Sequence, residues 1–319
     1  QRKWGFLNLK EKIEQLAGQL GEVVSSSLDI SCQSSFLDFP DYSNVGDSAI
    51  FQGSLKLFES LQHNLKSVDS LNSFDREYGN LSRQLIFQGG GNLGGLYPVF
   101  DSFRLMVLDN SAEGSNVLIM PQSIGLVDET TMDFYRTVSN RVQITFLARD
   151  LSTKKIFSDF GINSLLAPDP AHCLGLIEGN PPTQDYLIVQ RADAESNSSQ
   201  IRGSEDWDKD TPKMIFGTKW RSLSRYSSRL AKMNKLGLSL AHEISSSRMK
   251  RGLTQISRGE IIVTDRLHVM LLALQLGREV FVVDNSNGKL LNYINTWKLN
   301  ELSNLTVLDN FREFTDKNL

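Results

Sequence analysis

The feature that most constrains this chain is a recurrence. Short apolar runs that end in polar residues alternate with stretches of helical spacing. "RQLIFQGGGNLGGLYP" reads as strand, glycine turn and helix. "NVLIMPQSIG", "QITFLARD" and "DYLIVQRADAE" read as further strands. "EIIVTDRLHVMLLALQLGREVFVVDN" reads as strand, helix from about Thr264, the terminator Gly277, and strand. Such alternation predicts an α/β fold with mostly parallel sheets. Ahead of it, "LNLKEKIEQLAGQLG" predicts a helix ending at Gly21. Asp47 or a neighbour can cap a second helix, whose Ile50, Leu55, Leu57, Phe58 and Leu61 recur at three and four residues. The tail from about 298 predicts a helix that packs back.

At 319 residues the chain exceeds most single cores. The polar, proline-bearing stretch "EGNPPTQD" at 178–185 is the best linker, so two domains are expected, 1–180 and 181–319. "ADAESNSSQIRGSEDWDKDTP" reads as a long loop or insert. A net charge of -3 gives no general attraction to nucleic acid, and the one basic cluster, "RMKRG" at 248–252, reads as a solvated face or a local anion contact. Cys32 and Cys173 lie far apart without a CxxC, so neither a disulfide framework nor a zinc site is implied. No apolar run approaches the ~20 residues that cross a bilayer. The chain begins at Gln1 rather than Met, which leaves a leader or anchor ahead of it open. GxSxG, HExxH and Walker lysine patterns are missing from the sequence, which removes several hydrolase, metalloenzyme and NTP-hydrolysing readings.

In open parallel sheets, ligands bind beyond the carboxyl ends of the strands. That rule selects Asn44 to Asp47, Gly89 to Asn92, Gln122 and Ser123, Arg149 and Asp150, Arg191 and Asp193, Asp265 to His268, and Asp284 to Lys289. Arg266 and His268 fall in the first turn of a helix. Exposed N–H groups and the helix dipole favour an anion there, and Arg266 adds a fork that suits carboxylate or phosphate. The plainer alternative has Asp265 as the helix cap, Arg266 salt-bridged to Asp265 or to a neighbour, and His268 as a satisfied core histidine. "QGGGNLGG" can form an anion nest or simply a tight turn under close helix–sheet packing. It satisfies GxGxxG, but the next strand, "NVLIMP", ends without a carboxylate, so a nicotinamide site is rejected.

Taken in order, "NVGDSAIFQG", "GGGNLGGLYP", "MPQSIG", "ARDLST", "APDPAHCLG", "RADAE", "SRGEIIVTDRLH" and "DNSNGK…NYINTW" resemble the polysaccharide pyruvyl transferase family, from about residue 44 to 297. The resemblance implies two Rossmann-like domains facing a cleft, as in GT-B-like glycosyltransferases. It implies transfer of a pyruvyl group from phosphoenolpyruvate onto a glycan sugar, galactose or mannose, as a cyclic ketal with release of phosphate. Glycan or lipid-linked oligosaccharide is the implied acceptor. The compartment would be the cytoplasm in a bacterial exopolysaccharide pathway and the secretory lumen in a eukaryotic one. Three positions depart from the family pattern: Gly95, where relatives often carry Asp, Val269, where they often carry Gly, and Asn287, where an aromatic is expected.

The chemistry needs cations for two anionic groups, a proton donor and a base. Arg149 and Arg266 are expected to hold the donor, with Gly90, Gly91 and Asn92 lining the site. His268 is the expected general acid or a phosphate contact, a role that suits histidine as a residue type. Asp47 is the expected base or hydroxyl ligand. Tyr97, Arg191 and Asp193 join Asp47 on the acceptor side. No metal, cofactor, nucleic acid or membrane span is expected. The competing readings are a glycosyltransferase that uses a nucleotide sugar and a silent glycan-binding relative.

Overall fold

The computed structural model describes residues 2–74, 82–192, 200–223, 231–284 and 288–318. Its strands form two sheets whose pairings are all parallel. The first holds β1 (Ser34–Leu37), β2 (Leu65–Val68), β3 (Gln84–Phe87), β4 (Asn116–Gln122), β5 (Gln143–Ala148) and β6 (Ser164–Leu166), in the order β2-β1-β3-β4-β5-β6. The second holds β7 (Gln184–Val189), β8 (Gly259–Thr264), β9 (Glu279–Val283) and β10 (Leu305–Leu308), in the order β10-β9-β8-β7. The apolar strands are buried because helices cover them, as parallel sheets require. The tail therefore supplies the edge strand β10 before its helix. The hydrophobic alternation of "NLTVL" was too short to show this against a helical background.

Helices α1 (Arg2–Ser27) and α2 (Val45–Ser60) precede or pack on the first sheet. Further along come α3 (Pro98–Asp109), α4 (Glu129–Val138), α5 (Leu151–Asp159), α6 (Pro212–Leu223), α7 (Ala231–Ile256), α8 (Leu267–Gln275), α9 (Lys289–Trp297) and α10 (Phe311–Asn318). The first helix does not stop at Gly21. Leu9, Ile13, Leu16, Leu20, Val24 and Leu28 form one buried stripe, and burying Val24 and Leu28 outweighs the ~1 kcal/mol that an interior glycine costs. The stripe is shared. Leu9, Ile13 and Leu16 join the core around the second sheet, and Leu20, Val24 and Leu28 join a core on the first. Helix α7 bridges the same way, with Ala241 in the first core and Ile256 in the second.

The helices α6 and α7 fill a region that the sequence left without elements. The "RMKRG" cluster on α7 is no solvated face. Arg248 is buried and donates to Asp210 through Nε and Nη2 (2.9 and 2.7 Å to Oδ2) and to the carbonyl of Pro40 through Nη1 (2.7 Å). Arg251 pairs with the same carboxylate. The anion contact is thus Asp210, and it ties α7 to the chain between β1 and α2. At the end of α8, Gly277 takes φ +71°, and Arg278 N–H reaches back to the carbonyl of Ala273 (3.0 Å), a left-handed helix stop.

Helix α2 sits against a 3-10 turn, Pro170–Leu174, that follows β6. The approach is so close that a Cβ on Gly53 would lie 2.0 Å from the carbonyl oxygen of Pro170. Gly53→Ala is expected to cost about 3 kcal/mol in urea unfolding, because rigid backbone must move. Gly18→Ala in α1, where a Cβ meets nothing within 4 Å, is expected instead to stabilise by roughly 0.5–1 kcal/mol.

Candidate functional site

The carboxyl ends of both sheets open onto one cleft of about 380 Å³. The first sheet contributes Tyr42, Asn44 and Asp47 after β1, Gly91, Asn92, Tyr97 and Phe100 after β3, and Arg149 after β5. The second contributes Arg191 after β7, and Arg266, Leu267 and His268 after β8. Lys289 at the start of α9, with Asp206 and Trp207, completes the wall. Of the expected residues, Asp47, Gly91, Asn92, Tyr97, Arg149, Arg191, Arg266 and His268 therefore meet in one place. Gly90 stands behind them, a Cβ there lying 3.4 Å from Asp47 Oδ1. Asp193 and Asn287 lie outside the described residues.

Asp169 organises the back of the cleft. This residue, absent from the expectations above, is fully buried and leads into the 3-10 turn. Its Oδ2 accepts from Arg149 Nη1 (2.8 Å) and faces His268 Nε2 (3.1 Å), while Oδ1 accepts from the Ala171 N–H (2.9 Å). Burial by itself would raise the Asp169 carboxyl. His268, Arg149 and the Ala171 N–H override it and hold the group well below the usual carboxylate range. Arg149 also donates from Nε to Ser123 Oγ (2.9 Å), and its carbonyl accepts from Trp297 Nε1 (2.8 Å). The guanidinium is thereby fixed with Nη2 near Gly91, where a Cβ would lie 3.8 Å away.

His268 reaches Asp169 from the second sheet's side and presents its other edge to α2. A Cβ on Gly46 would lie 2.5 Å from His268 Nδ1, so only glycine permits the ring there. Asn44 caps α2 by accepting from the Gly46 N–H (2.8 Å), which sets Asp47 in the first turn. Burial raises the Asp47 carboxyl above its ordinary value, opposed by His268, a hydrogen bond from Tyr42 and Arg149. A carboxyl so placed holds a proton more readily than an exposed one, which suits a base in the cleft.

Arg266 is less available than its position suggested. Both Asp206 oxygens lie against its guanidinium (Nε–Oδ1 2.6 Å, Nη2–Oδ2 2.7 Å). The plainer sequence alternative thus holds for its pairing, with a partner from the stretch read as a loop. Asp265 does not cap α8; its Oδ1 accepts from the Arg191 N–H (2.9 Å). The helix begins at Leu267, not Thr264, with Arg266 at the cap position and no side-chain cap bond. Thr264 is held in the strand, its Oγ1 donating to the carbonyl of Val189 (2.7 Å).

The glycine turn is largely committed to its own support. Gly90, Gly94 and Gly95 have φ of +140°, +99° and +115°. Gly94 and Gly95 donate their N–H groups to Asp101 (3.3 and 2.8 Å), so these two do not form an anion nest. Arg104, fully buried, bridges Asp101 and Asp38 and donates to the carbonyl of Asn92 (3.1 Å). Gly95 suits its place: a Cβ there would meet Asp128 Cβ at 2.7 Å. Val269 is likewise buried in the second core behind His268. Gly91 lets Lys289 approach, its Nζ lying 3.4 Å from the Gly91 carbonyl.

Asp169 sits just after a strand, as the strand-end rule demands, but β6 has three residues and no readable pattern. Lys289 fell within a selected stretch but had no assigned role. Asp206 and Trp207 stand far beyond β7 in the chain, and no local pattern marks them. Among the described residues, no group of three or more His, Cys, Asp or Glu could hold a metal ion. No described helix is long and apolar enough to cross a membrane.

A family model described as polysaccharide pyruvyl transferase matches residues 44–287. The chain is 29% identical over 279 residues to pyruvyl transferase 1 of Schizosaccharomyces pombe (strain 972), covering 82% of this chain and 68% of that one. It is 28% identical over 309 residues to the candidate pyruvyl transferase EpsO of Bacillus subtilis (strain 168), covering 92% of each. A crystal structure of an uncharacterized protein from Klebsiella pneumoniae subsp. pneumoniae NTUH-K2044 shares the fold, with a TM-score of 0.62 at 19% identity over 92% of this chain and 99% of that one.

Two outcomes follow from the buried charges. Asp169→Leu strands the Arg149 guanidinium and is expected to cost about 3–5 kcal/mol in urea unfolding. His172, in the same 3-10 turn, contacts the Tyr293 hydroxyl through Nε2 (2.8 Å), and burial pushes its pKa from 6.5 down to about 4. The unfolded chain takes up that proton first. Its contribution to stability is therefore present above pH 6.5 and lost as pH falls through about 4. Thermal melts across that window should show roughly 3 kcal/mol more acid destabilisation in the wild type than in His172→Gln.

Proposed function

The chain belongs to the polysaccharide pyruvyl transferase family, and we propose that it moves the pyruvyl group of phosphoenolpyruvate onto two hydroxyls of one glycan sugar, galactose or mannose, forming a cyclic ketal and releasing phosphate. The observation that carries this reading is the convergence of Arg149, Lys289, His268 and Asp47 in one cleft. Two cations, a group able to donate a proton and a carboxylate are what the reaction requires. In this reading residues 1–180 and 181–319 act as two Rossmann-like domains on either side of the cleft, as in GT-B-like enzymes.

Arg149 and Lys289 take the donor's carboxylate and phosphate, assisted by whichever edge of Arg266 its pairing with Asp206 leaves toward the cleft. Asn92 lines the same wall, and Gly90 and Gly91 keep it open. His268 protonates the methylene carbon of the enol, which leaves an oxocarbenium-like centre. A sugar hydroxyl attacks that centre and gives its proton to Asp47. The second hydroxyl then displaces phosphate and closes the ring. Of the two hydroxyl protons, one restores the acid and the other departs with phosphate, so the exchange balances. Tyr97 and Arg191 bound the acceptor side. The positive charge that the departing phosphate needs comes from side chains, and no metal or cofactor enters the reading.

Incubation with phosphoenolpyruvate and simple galactosides or mannosides, followed by mass spectrometry and phosphate assay, tests it. The expected product is the sugar plus pyruvate minus water. His268→Ala and Asp47→Asn should each lower turnover by about 10²–10⁴-fold while the variants keep wild-type melting behaviour. Thermal stabilisation by a nucleotide sugar, with none by phosphoenolpyruvate, would reverse the donor assignment in favour of a glycosyltransferase.

A further inference from the structure

Among the described residues, α6 packs on α7 through one face. Gly217 packs it against α7, where a Cβ would lie 3.5 Å from Ile244, and Thr218 Oγ1 accepts from Arg248 (3.2 Å). The opposite face carries Ile215, Phe216 and Trp220, which are 46%, 67% and 53% exposed. Phe216 and Trp220 are one helical turn apart, and their rings stack on each other at 6.3 Å. Lys213 and Lys219 stand exposed beside them. Lys213 Nζ lies 4.0 Å from Glu243 on α7. Within α6 itself the charge has one sign: Lys213, Lys219 and Arg221 with no Asp or Glu, in a chain whose net charge is -3.

Single exposed apolar residues are ordinary on a soluble surface. An isoleucine and two aromatics clustered on one helix face and flanked by lysines are not. Tryptophan and phenylalanine on the apolar side of a basic helix match the boundary between lipid headgroups and acyl chains, and the lysines match anionic headgroups. We propose that α6 is an interfacial anchor that docks the protein on a membrane surface containing anionic lipid. The helix would lie in the plane of the interface; it does not span it. It begins just after the Asp206–Trp207 wall of the cleft, so docking would bring that wall toward the bilayer. If the reading of the cleft above is right, that is where a lipid-linked glycan would be offered.

Flotation with phosphatidylcholine vesicles, with and without phosphatidylglycerol, tests the anchor on the whole chain. Binding should need the anionic lipid and fall with added salt. K213E/K219E should weaken it at least about 25-fold, roughly fivefold per lysine. F216S/W220S should weaken it roughly 100-fold. Both variants should keep wild-type phosphate release with a soluble acceptor, which separates failure of the anchor from failure of the proposed reaction. The anchor is overturned if the wild type stays unbound to anionic vesicles at low salt, or if either variant binds as the wild type does. It is also overturned if F216S/W220S dissolves a dimer of the wild type, which would assign the face to a second copy. Single-stranded oligonucleotides that bind in preference to vesicles through the same residues would assign it to nucleic acid.

Discussion

A single buried carboxylate, Asp169, holds the two halves of the site together. It accepts from Arg149 of the first sheet and faces His268 of the second, and it lies at the start of a turn on which α2 rests. A carboxylate without those partners would not stay ionised in such a place. With them, it fixes a guanidinium and an imidazole that come from residues far apart in the chain. Arg149 needs the carboxylate as much as the carboxylate needs Arg149, because either charge alone is costly to bury. The close packing of Gly46 on His268 and of Gly53 on Pro170 then brings α2, and so Asp47, to the same spot.

A second buried ionic group supports the opposite wall. Arg104 lies between Asp38 and Asp101, and Asp101 takes the N–H groups of Gly94 and Gly95. The glycine turn is therefore a supported wall rather than an open cradle of donors. Its glycines serve conformation and clearance: positive φ at Gly90, Gly94 and Gly95, and room for Lys289 at Gly91. Positive charge in the cleft consequently comes from side chains, with Arg149 held in place by Asp169 and Ser123, an arrangement that would lower the reorganisation needed to meet an anion. The Arg266–Asp206 pair belongs to the same economy of charge. It keeps one arginine oriented while leaving Arg149 Nη2 and Lys289 as the cations nearest Gly91.

Much of this was legible one segment at a time. The strands β3, β4, β5, β7, β8 and β9 stood out as apolar runs between polar ends, and their carboxyl termini pointed to Asn92, Arg149, Arg191, Arg266 and His268, while Asp47 was reached through the start of the helix α2. Elements without such contrast were missed. The three residues of β6 carry no period, so Asp169 stayed hidden in "APDPAHCLG". The helices α6 and α7 are mixed in polarity, and the arginines of "RMKRG" gave no sign that Arg248 would be buried. Gly21 read as a helix end because local propensity is all that a short window contains; the burial of Val24 and Leu28 that carries α1 past it is tertiary.

The sequence by itself determined the fold class, the strand ends that line the cleft and the family to which the chain belongs. All three rest on local periodicity and on the order of short motifs, which survive in one dimension. Only the tertiary structure decided which charges pair: Asp169 with Arg149 and His268, Asp206 with Arg266, Asp210 with Arg248 and Arg251. Whether an arginine is a ligand's partner or a neighbour's depends on distances of a few ångströms between residues remote in the chain. Those distances are set by how helices pack across two sheets, and no local pattern encodes them.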